Sequence, residues 1–307
     1  MAPHGLTGEH MSETPSEDGV ESIGWLWRAT VVMAATLCGL GAIFWLAANW
    51  AALGRITQFS LLQALMIASG GAALWRPAWR TPAALLLFLL SGGLLAHVGQ
   101  TYQTGADPWQ LFALWAALGL PMAWGARHDA TWSAWTVVTM TALSLWVAAH
   151  TERTWLASDG EAATHLLAWA GSGLIGMGLS APTRPWTGAG PWSQRLALTL
   201  FTITVAGTAV ANLLVDDGSR LYGLGLLTLV AGAALLSRPR WFDLHGLSAM
   251  TLGLNVCVVS GLSRWLLEDT RGDAIGAWLL LGLLAAGLLA ASVKLVMRMA
   301  RANGRLA

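Results

Sequence analysis

Apolar runs long enough to cross a bilayer recur along almost the whole of this chain. A hydrocarbon core needs roughly 20 residues of helix, and runs of about 18 or more residues with few charges are candidate spans. Of 307 residues, 55% are hydrophobic and only 11% charged, and the mean hydropathy is positive. No ordinary soluble domain has that balance. A transmembrane barrel would alternate apolar and polar positions over about ten residues, and these runs do not alternate. The expected fold class is all-α, a polytopic integral membrane helical bundle.

The runs read as about ten transmembrane helices, at 28–50, 56–75, 82–101, 107–124, 130–149, 162–180, 196–215, 221–237, 244–266 and 274–297. Asp107-Pro108 is a natural opening for the fourth, with Asp as N-cap and Pro in the first helical position. The first residues are polar and acidic (Glu9, Glu13, Glu17, Asp18, Glu21), which predicts a disordered tail. They lack the basic start and short apolar run of a cleaved signal peptide, so the first run is read as a retained span.

Orientation follows from the cations. With the N-terminus inside, cytoplasmic segments hold Arg28, Arg76, Arg80, Arg127, Arg184, Arg195, Arg238, Arg240, Lys294, Arg298, Arg301 and Arg305. The opposite loops hold only Arg55, Arg153, Arg220, Arg264 and Arg271, and they collect acids such as Asp159, Asp216 and Glu268. The positive-inside rule then puts both termini in the cytoplasm. Tryptophans near span ends fit interfacial belts.

A net charge of +1 with no basic stripe gives no reason to expect nucleic acid. Cys38 and Cys257 lie inside apolar runs without CxxC spacing, and read as buried small hydrophobes rather than a metal or redox pair. There is no HExxH, no GxSxG and no pair of intramembrane carboxylates. No catalytic residue, metal ligand or cofactor is expected.

One stretch breaks the monotony. Gly92 to Trp109, GGLLAHVGQTYQTGADPW, places His97, Gln100, Thr101, Tyr102 and Asp107 together at the end of the third run. In a helix His97, Gln100 and Thr101 share a face, because residues three and four apart are neighbours. Polar groups in a span need partners, a wet cavity or a function. His97 has two readings: a proton relay or ligand contact, or a structural histidine bonded between helices. Gln100, Thr101 and Tyr102 could bind a polar solute at the outer mouth or act as interfacial caps. Asn49 reads as a helix-ending or interhelical residue, with a ligand role as the alternative. Asp107 reads first as the N-cap of the fourth helix. Arg264 is expected to snorkel to the outer interface, with a buried anion contact as its alternative. Asn49, the 97–107 cluster, His150, His165, Asn212 and Arg264 all fall towards the outer side, and this skew is the main functional hint. Glycine pairs and the series Gly171, Gly173, Gly176 and Gly178 read as helix-packing surfaces. Ala48-Asn49, Arg55 and Arg76-Pro77 loosely parallel Ala211-Asn212, Arg220 and Arg238-Pro239, which suggests a parallel internal repeat.

Three features together resemble a bacterial family of membrane proteins, domain of unknown function 2157. The first is Ala47-Ala48-Asn49-Trp50 followed by Arg55. The second is Gly99-Gln100-Thr101-Tyr102 followed by Gly105-Ala106-Asp107-Pro108. The third is Leu111-Phe112-x-Leu114-Trp115 with Leu120-Pro121 before Trp124. The resemblance covers 24–124 and implies a multi-pass membrane protein with no assigned activity. The expected organisation is an acidic cytoplasmic tail at 1–24, a family-like four-helix membrane module at 25–128, about six further membrane helices at 129–299 and a basic cytoplasmic tail at 300–307. The expected function is non-enzymatic: a transporter-like or solute-sensing protein of the bacterial inner membrane. Its outward-facing pocket, bounded by spans one, three and four, would use Asn49, His97, Gln100, Thr101, Tyr102 and Asp107. The alternative is a membrane scaffold in which the same residues pin helices together, and the third reading is an enzyme on lipid or envelope precursors. Expected partners are the lipid bilayer and either a small polar solute or another membrane protein.

Overall fold

A computed structural model of the chain describes residues 17–49, 52–102, 105–152, 157–215, 220–268 and 274–303. Among these residues there is no strand. Each of the ten apolar runs is a helix: α1 (Glu17–Ala48), α2 (Arg55–Trp75), α3 (Arg80–Tyr102), α4 (Pro108–Ala126), α5 (Asp129–Ala149), α6 (Ala162–Gly178), α8 (Pro191–Leu213), α9 (Arg220–Leu236), α10 (Leu244–Glu268) and α11 (Ala274–Ala302). A one-turn helix, α7 (Arg184–Thr187), lies between α6 and α8. The expected disordered tail falls mostly outside the described residues, but its last part is helical, because α1 already starts at Glu17. A backbone leaving lipid for water can continue its own hydrogen-bond ladder.

Among the described residues, seven helices are long and apolar enough to cross a membrane, or eight if the segment Asp159–Gly178 and the piece after it, bent by 57°, form one span. The expectation of about ten is larger than this, and the difference lies at α4 and α9. At 17 residues α9 rises about 25 Å, short of a core of roughly 30 Å. α4 has 19 residues with Pro121 inside it.

The end of the bundle where α1, α3 and α5 start is termed proximal, the other distal. α3 is the hub of the first half, packed on α1, α2, α4 and α5, and α5 joins it to α6 and α8. α8 and α10 are the hubs of the second half, with α9 against both and α11 on α10. Burial follows this arrangement: 44% of the apolar window of α3 and 50% of that of α8 is inside the protein, against 11% for α1 and α11. The outer helices therefore face lipid with side chains such as Met33, Phe44, Leu279 and Leu283. The largest core, with Val205, Leu221, Leu229, Leu247 and Met250 among its members, lies among α8, α9 and α10.

Glycines let the hubs close up, as their positions suggested. A Cβ at Gly92 would overlap the Trp115 indole, and one at Gly119 the Phe88 ring, so α3 and α4 interlock ring into gap. Gly171 faces Leu143 of α5, and Gly173 and Gly176 face Phe201 and Leu198 of α8. Not all tryptophans form interfacial belts. Trp115 Nε1 donates to the Phe88 carbonyl at 2.9 Å, Trp135 Nε1 to that of Ala116 at 2.8 Å and Trp132 Nε1 to that of Thr187 at 2.9 Å, each joining neighbouring helical segments.

The two halves share an order of packing. α1 and α2 both pack on α3, and α3 on α4; α8 and α9 both pack on α10, and α10 on α11. α2 ends Gly71-Ala72-Ala73-Leu74, then Arg76-Pro77-Ala78-Trp79, and α9 ends Gly232-Ala233-Ala234-Leu235, then Arg238-Pro239-Arg240-Trp241. The halves differ in cover. The α9 face at Gly232 lies against Met250 of α10 beside a cavity that α6 and α8 also line, whereas the α2 face at Gly71, with no atom within 4 Å of its Cβ position, borders an open groove.

Candidate functional site

At the distal end the chain leaves α3 and turns into α4. Gly105, at φ +64°, occupies the left-handed region that a side chain would strain. Asp107 is the N-cap of α4 in extended conformation and Pro108 is its first residue, as the sequence suggested, although the Asp107 side chain makes no cap hydrogen bond. Between the end of α3 and the start of α4 lies a groove of about 700 Å³. Small residues (Ala96, Gly99, Gly105, Ala106) form much of its lining, and Gln100 and Gln110 supply polar groups from the two walls. No charged side chain is among its described lining.

The other candidates go elsewhere. His97 is 3% exposed, with Nδ1 at 3.3 Å from Thr101 Oγ1 and its ring 4.3 Å from that of Phe59 on α2. Tyr102 is exposed, 6.2 Å ring to ring from the same Phe59. Asn49 ends α1: its Nδ2 donates to the Trp45 carbonyl at 2.9 Å, and its own carbonyl accepts from Ala52 and Leu53. So His97 and Tyr102 meet Phe59 of α2, Thr101 bonds His97 on its own helix, Gln100 lines the α4 groove and Asn49 closes its own helix. The six residues do not line one cavity.

Two of the most connected polar groups, Asp129 and Asp159, were not singled out as sites by the sequence. Asp129, at the start of α5, accepts the backbone N–H groups of Gly190 (3.1 Å), Trp192 (2.8 Å) and Ser193 (2.8 Å), and so caps the start of α8 from another helix. Asp159 does the same for α9, accepting from Arg220 and Leu221, each at 3.2 Å, and from Asn212 Nδ2 at 3.1 Å. Asn212, fully buried, also accepts from Tyr222 N and donates to the Ala157 carbonyl. The first four N–H groups of any helix lack intrahelical partners, and here carboxylates supply them. Arg264 serves the opposite pole. Its guanidinium donates to the carbonyls of Leu213 and Val215 at the end of α8, where cations are favoured. Arg127 is held in the left-handed region (φ 49°) while its guanidinium bonds the carbonyls of Pro185 (2.6 Å) and Trp186 (3.0 Å).

Next to this proximal turn is His128, whose Nδ1 accepts the Ala130 N–H at 3.2 Å. It borders a cavity of about 260 Å³ shared with Trp27, Arg28, Pro77 and Thr81. Burial holds its imidazole below the ordinary 6.5; Asp129 pushes the other way and Arg28 adds to the lowering. Among the described residues no three His, Cys, Asp or Glu side chains are grouped to hold a metal.

Residues 8–132 match the model of a family described as a predicted membrane protein (DUF2157). The DUF2157 stretch runs from ahead of α1 into the first turn of α5 and contains all six candidate residues. Asp129 belongs to this DUF2157 stretch and Gly190 lies beyond it, so the trans-cap ties the matched region to the rest of the chain. No curated protein and no solved structure matches the chain.

Proposed function

We propose that the protein is a non-enzymatic, multi-pass protein of the bacterial cytoplasmic membrane that binds a small, uncharged polar solute in the α3–α4 groove, as a transporter-like or sensing component. In this reading all ten helices cross, both termini are cytoplasmic and the groove faces outward. The observation that carries it is the pairing of Gln100 and Gln110 across an otherwise small-residue and apolar groove. Each amide offers both donors and an acceptor, which suits hydroxyl, amide or carbonyl groups better than an ion. A mostly apolar concavity with a few placed polar groups is the usual form of a small-molecule site.

A scaffold role is the second reading, and a specific observation favours it. His97 is buried with its ring 4.3 Å from that of Phe59, and Tyr102 lies 6.2 Å from the same ring, so side chains of α3 meet α2 as pinning residues would.

Single-cysteine accessibility in intact cells separates the two. With Cys38 and Cys257 replaced, cysteines at Ala96, Gln100, Gln110 and Leu111 are challenged with a membrane-impermeant maleimide. Labelling that reaches Ala96 and Leu111, and is blocked by bound solute, supports the solute site. Labelling confined to Gln100 and Gln110 means a dry groove, and the scaffold reading stands.

A further inference from the structure

The proximal cavity of about 260 Å³ is lined from the starts of α1, α3 and α5, at the opposite end of the bundle from the α3–α4 groove. The apolar spans that contain these helices begin at Trp25, Pro77 and Asp129. The cavity therefore lies where they enter the bilayer, at the depth of lipid head groups. Exposed Trp27 is part of its lining, and indoles favour that depth. The wall is graded along the helices. Arg28 and His128 lie towards water, and Val31, Val32 and Pro82 line the side towards the middle of the membrane.

The polar lining consists of donors. No carboxylate is among the described lining, and no described carboxylate pairs with Arg28. His128 Nδ1 accepts the Ala130 N–H, which puts the ring proton on Nε2 and leaves that N–H to donate. The Thr81 hydroxyl, on α3, is a third donor and is taken up by no described group. Asp129, next to His128, is already engaged by the N–H groups of Gly190, Trp192 and Ser193. The Arg28 charge acts on the His128 imidazole and helps to hold its proton affinity down, so two basic groups from different helices oppose each other across one space. An anion between them would meet both and remove that opposition.

We infer that this cavity is a site for the phosphate of an anionic membrane lipid, held by Arg28, His128 and Thr81 while its acyl chains stay in the bilayer. The size fits: a cavity of about 150 Å³ takes one benzene, and a phosphate is smaller than that ring. Guanidinium groups match phosphate oxygens in pairs, and basic pockets between helices at the membrane surface suit lipid head groups. A soluble phosphate shares the chemistry of the head. The apolar inner wall at Val31, Val32 and Pro82 favours the lipid, because it gives the ester-linked end a surface that a free phosphate does not use.

The test titrates the full chain in detergent with phosphatidylglycerol and reads binding of the first lipid by native mass spectrometry. Phosphatidylcholine, whose quaternary amine repels Arg28, should bind more weakly. Arg28→Gln should weaken phosphatidylglycerol about tenfold, the scale of one charge-assisted hydrogen bond. Arg240→Gln removes an exposed cation from the same end of the bundle but outside the cavity, and should change binding less than about twofold. Ala78→Phe, at an exposed position of the lining, should fill the space and weaken binding too, which keeps the test valid if one variant misfolds. Equal binding to wild type and Arg28→Gln would overturn the proposal, as would equal losses in Arg28→Gln and Arg240→Gln or equal affinity for the two lipids. Displacement of the bound lipid by submillimolar glycerol 3-phosphate would assign the site to a soluble phosphate and overturn the lipid as its source.

Discussion

Asp129 shows how much one carboxylate can hold at the residue scale. Three N–H groups of a helix start depend on it, and a Cβ on Gly190 would collide with it. Hydrogen bonds to charged groups contribute about 1.5–3 kcal/mol each, with sharing and partial exposure reducing the sum. Asp129→Ala should therefore destabilise the protein by about 2–3 kcal/mol in an SDS-unfolding titration, and Asp129→Asn by less. His128, one residue earlier, adds a pH dependence. Its folded pKa lies below the unfolded 6.5, so the unfolded chain binds the extra proton first. Stability is complete above about 6.5 and falls as pH drops through that value towards the folded pKa. The melting temperature should decline between about pH 7 and pH 5, and His128→Asn, which keeps a side-chain acceptor for the N-cap, should flatten that slope. Equal slopes in both proteins would assign the effect to other groups.

At the scale of elements, α3 and α4 are joined by shape rather than by charge. The Trp115 ring fills the gap left by Gly92, the Phe88 ring fills that left by Gly119, and the two rings lie stacked at 5.2 Å. Overpacking such a seam costs about 1–3 kcal/mol. Gly92→Ala and Gly119→Ala should each destabilise by that amount, and Gly41→Ala, where no atom lies within 4 Å, should be near neutral in the same assay. The indole hydrogen bonds add a second link. Trp135→Phe leaves the Ala116 carbonyl without that donor and should cost about 1 kcal/mol, whereas Trp124→Phe, at an exposed indole, should cost little.

For the whole molecule, the apolar runs and their lengths were enough to locate the helices. A long uncharged run in a bilayer can satisfy its backbone only as a helix, so the bounds of α2, α3, α5 and α10 fall within about two residues of those read from composition, while α8 starts at Pro191 rather than at 196. The Asp107-Pro108 start and the glycine packing faces were equally legible, because caps and small residues act locally. The number of crossings was less so, since α9 is apolar but short and α4, at 19 residues, carries Pro121 inside it. If all ten cross with the termini inside, impermeant label applied to intact cells should reach a cysteine at Ser158 and miss one at Arg127. The reverse pattern would invert the topology.

The sequence by itself determined class, helix positions and the concentration of polar groups at the end of α3, because each depends on runs and neighbours. Only the tertiary structure decided which of those groups meet. His97 and Gln100 are three residues apart and share a helical face in projection, yet one is buried against Phe59 of α2 and the other lines a groove with α4. Asp129 and Gly190, Asp159 and Asn212, and Arg184 beside Gln194 carry no spacing signal of their own. The first two pairs form between residues far apart in the chain, and the third is set by a turn between helices. Such contacts depend on how neighbouring helices are placed, and a linear pattern of polar and apolar residues does not record that placement.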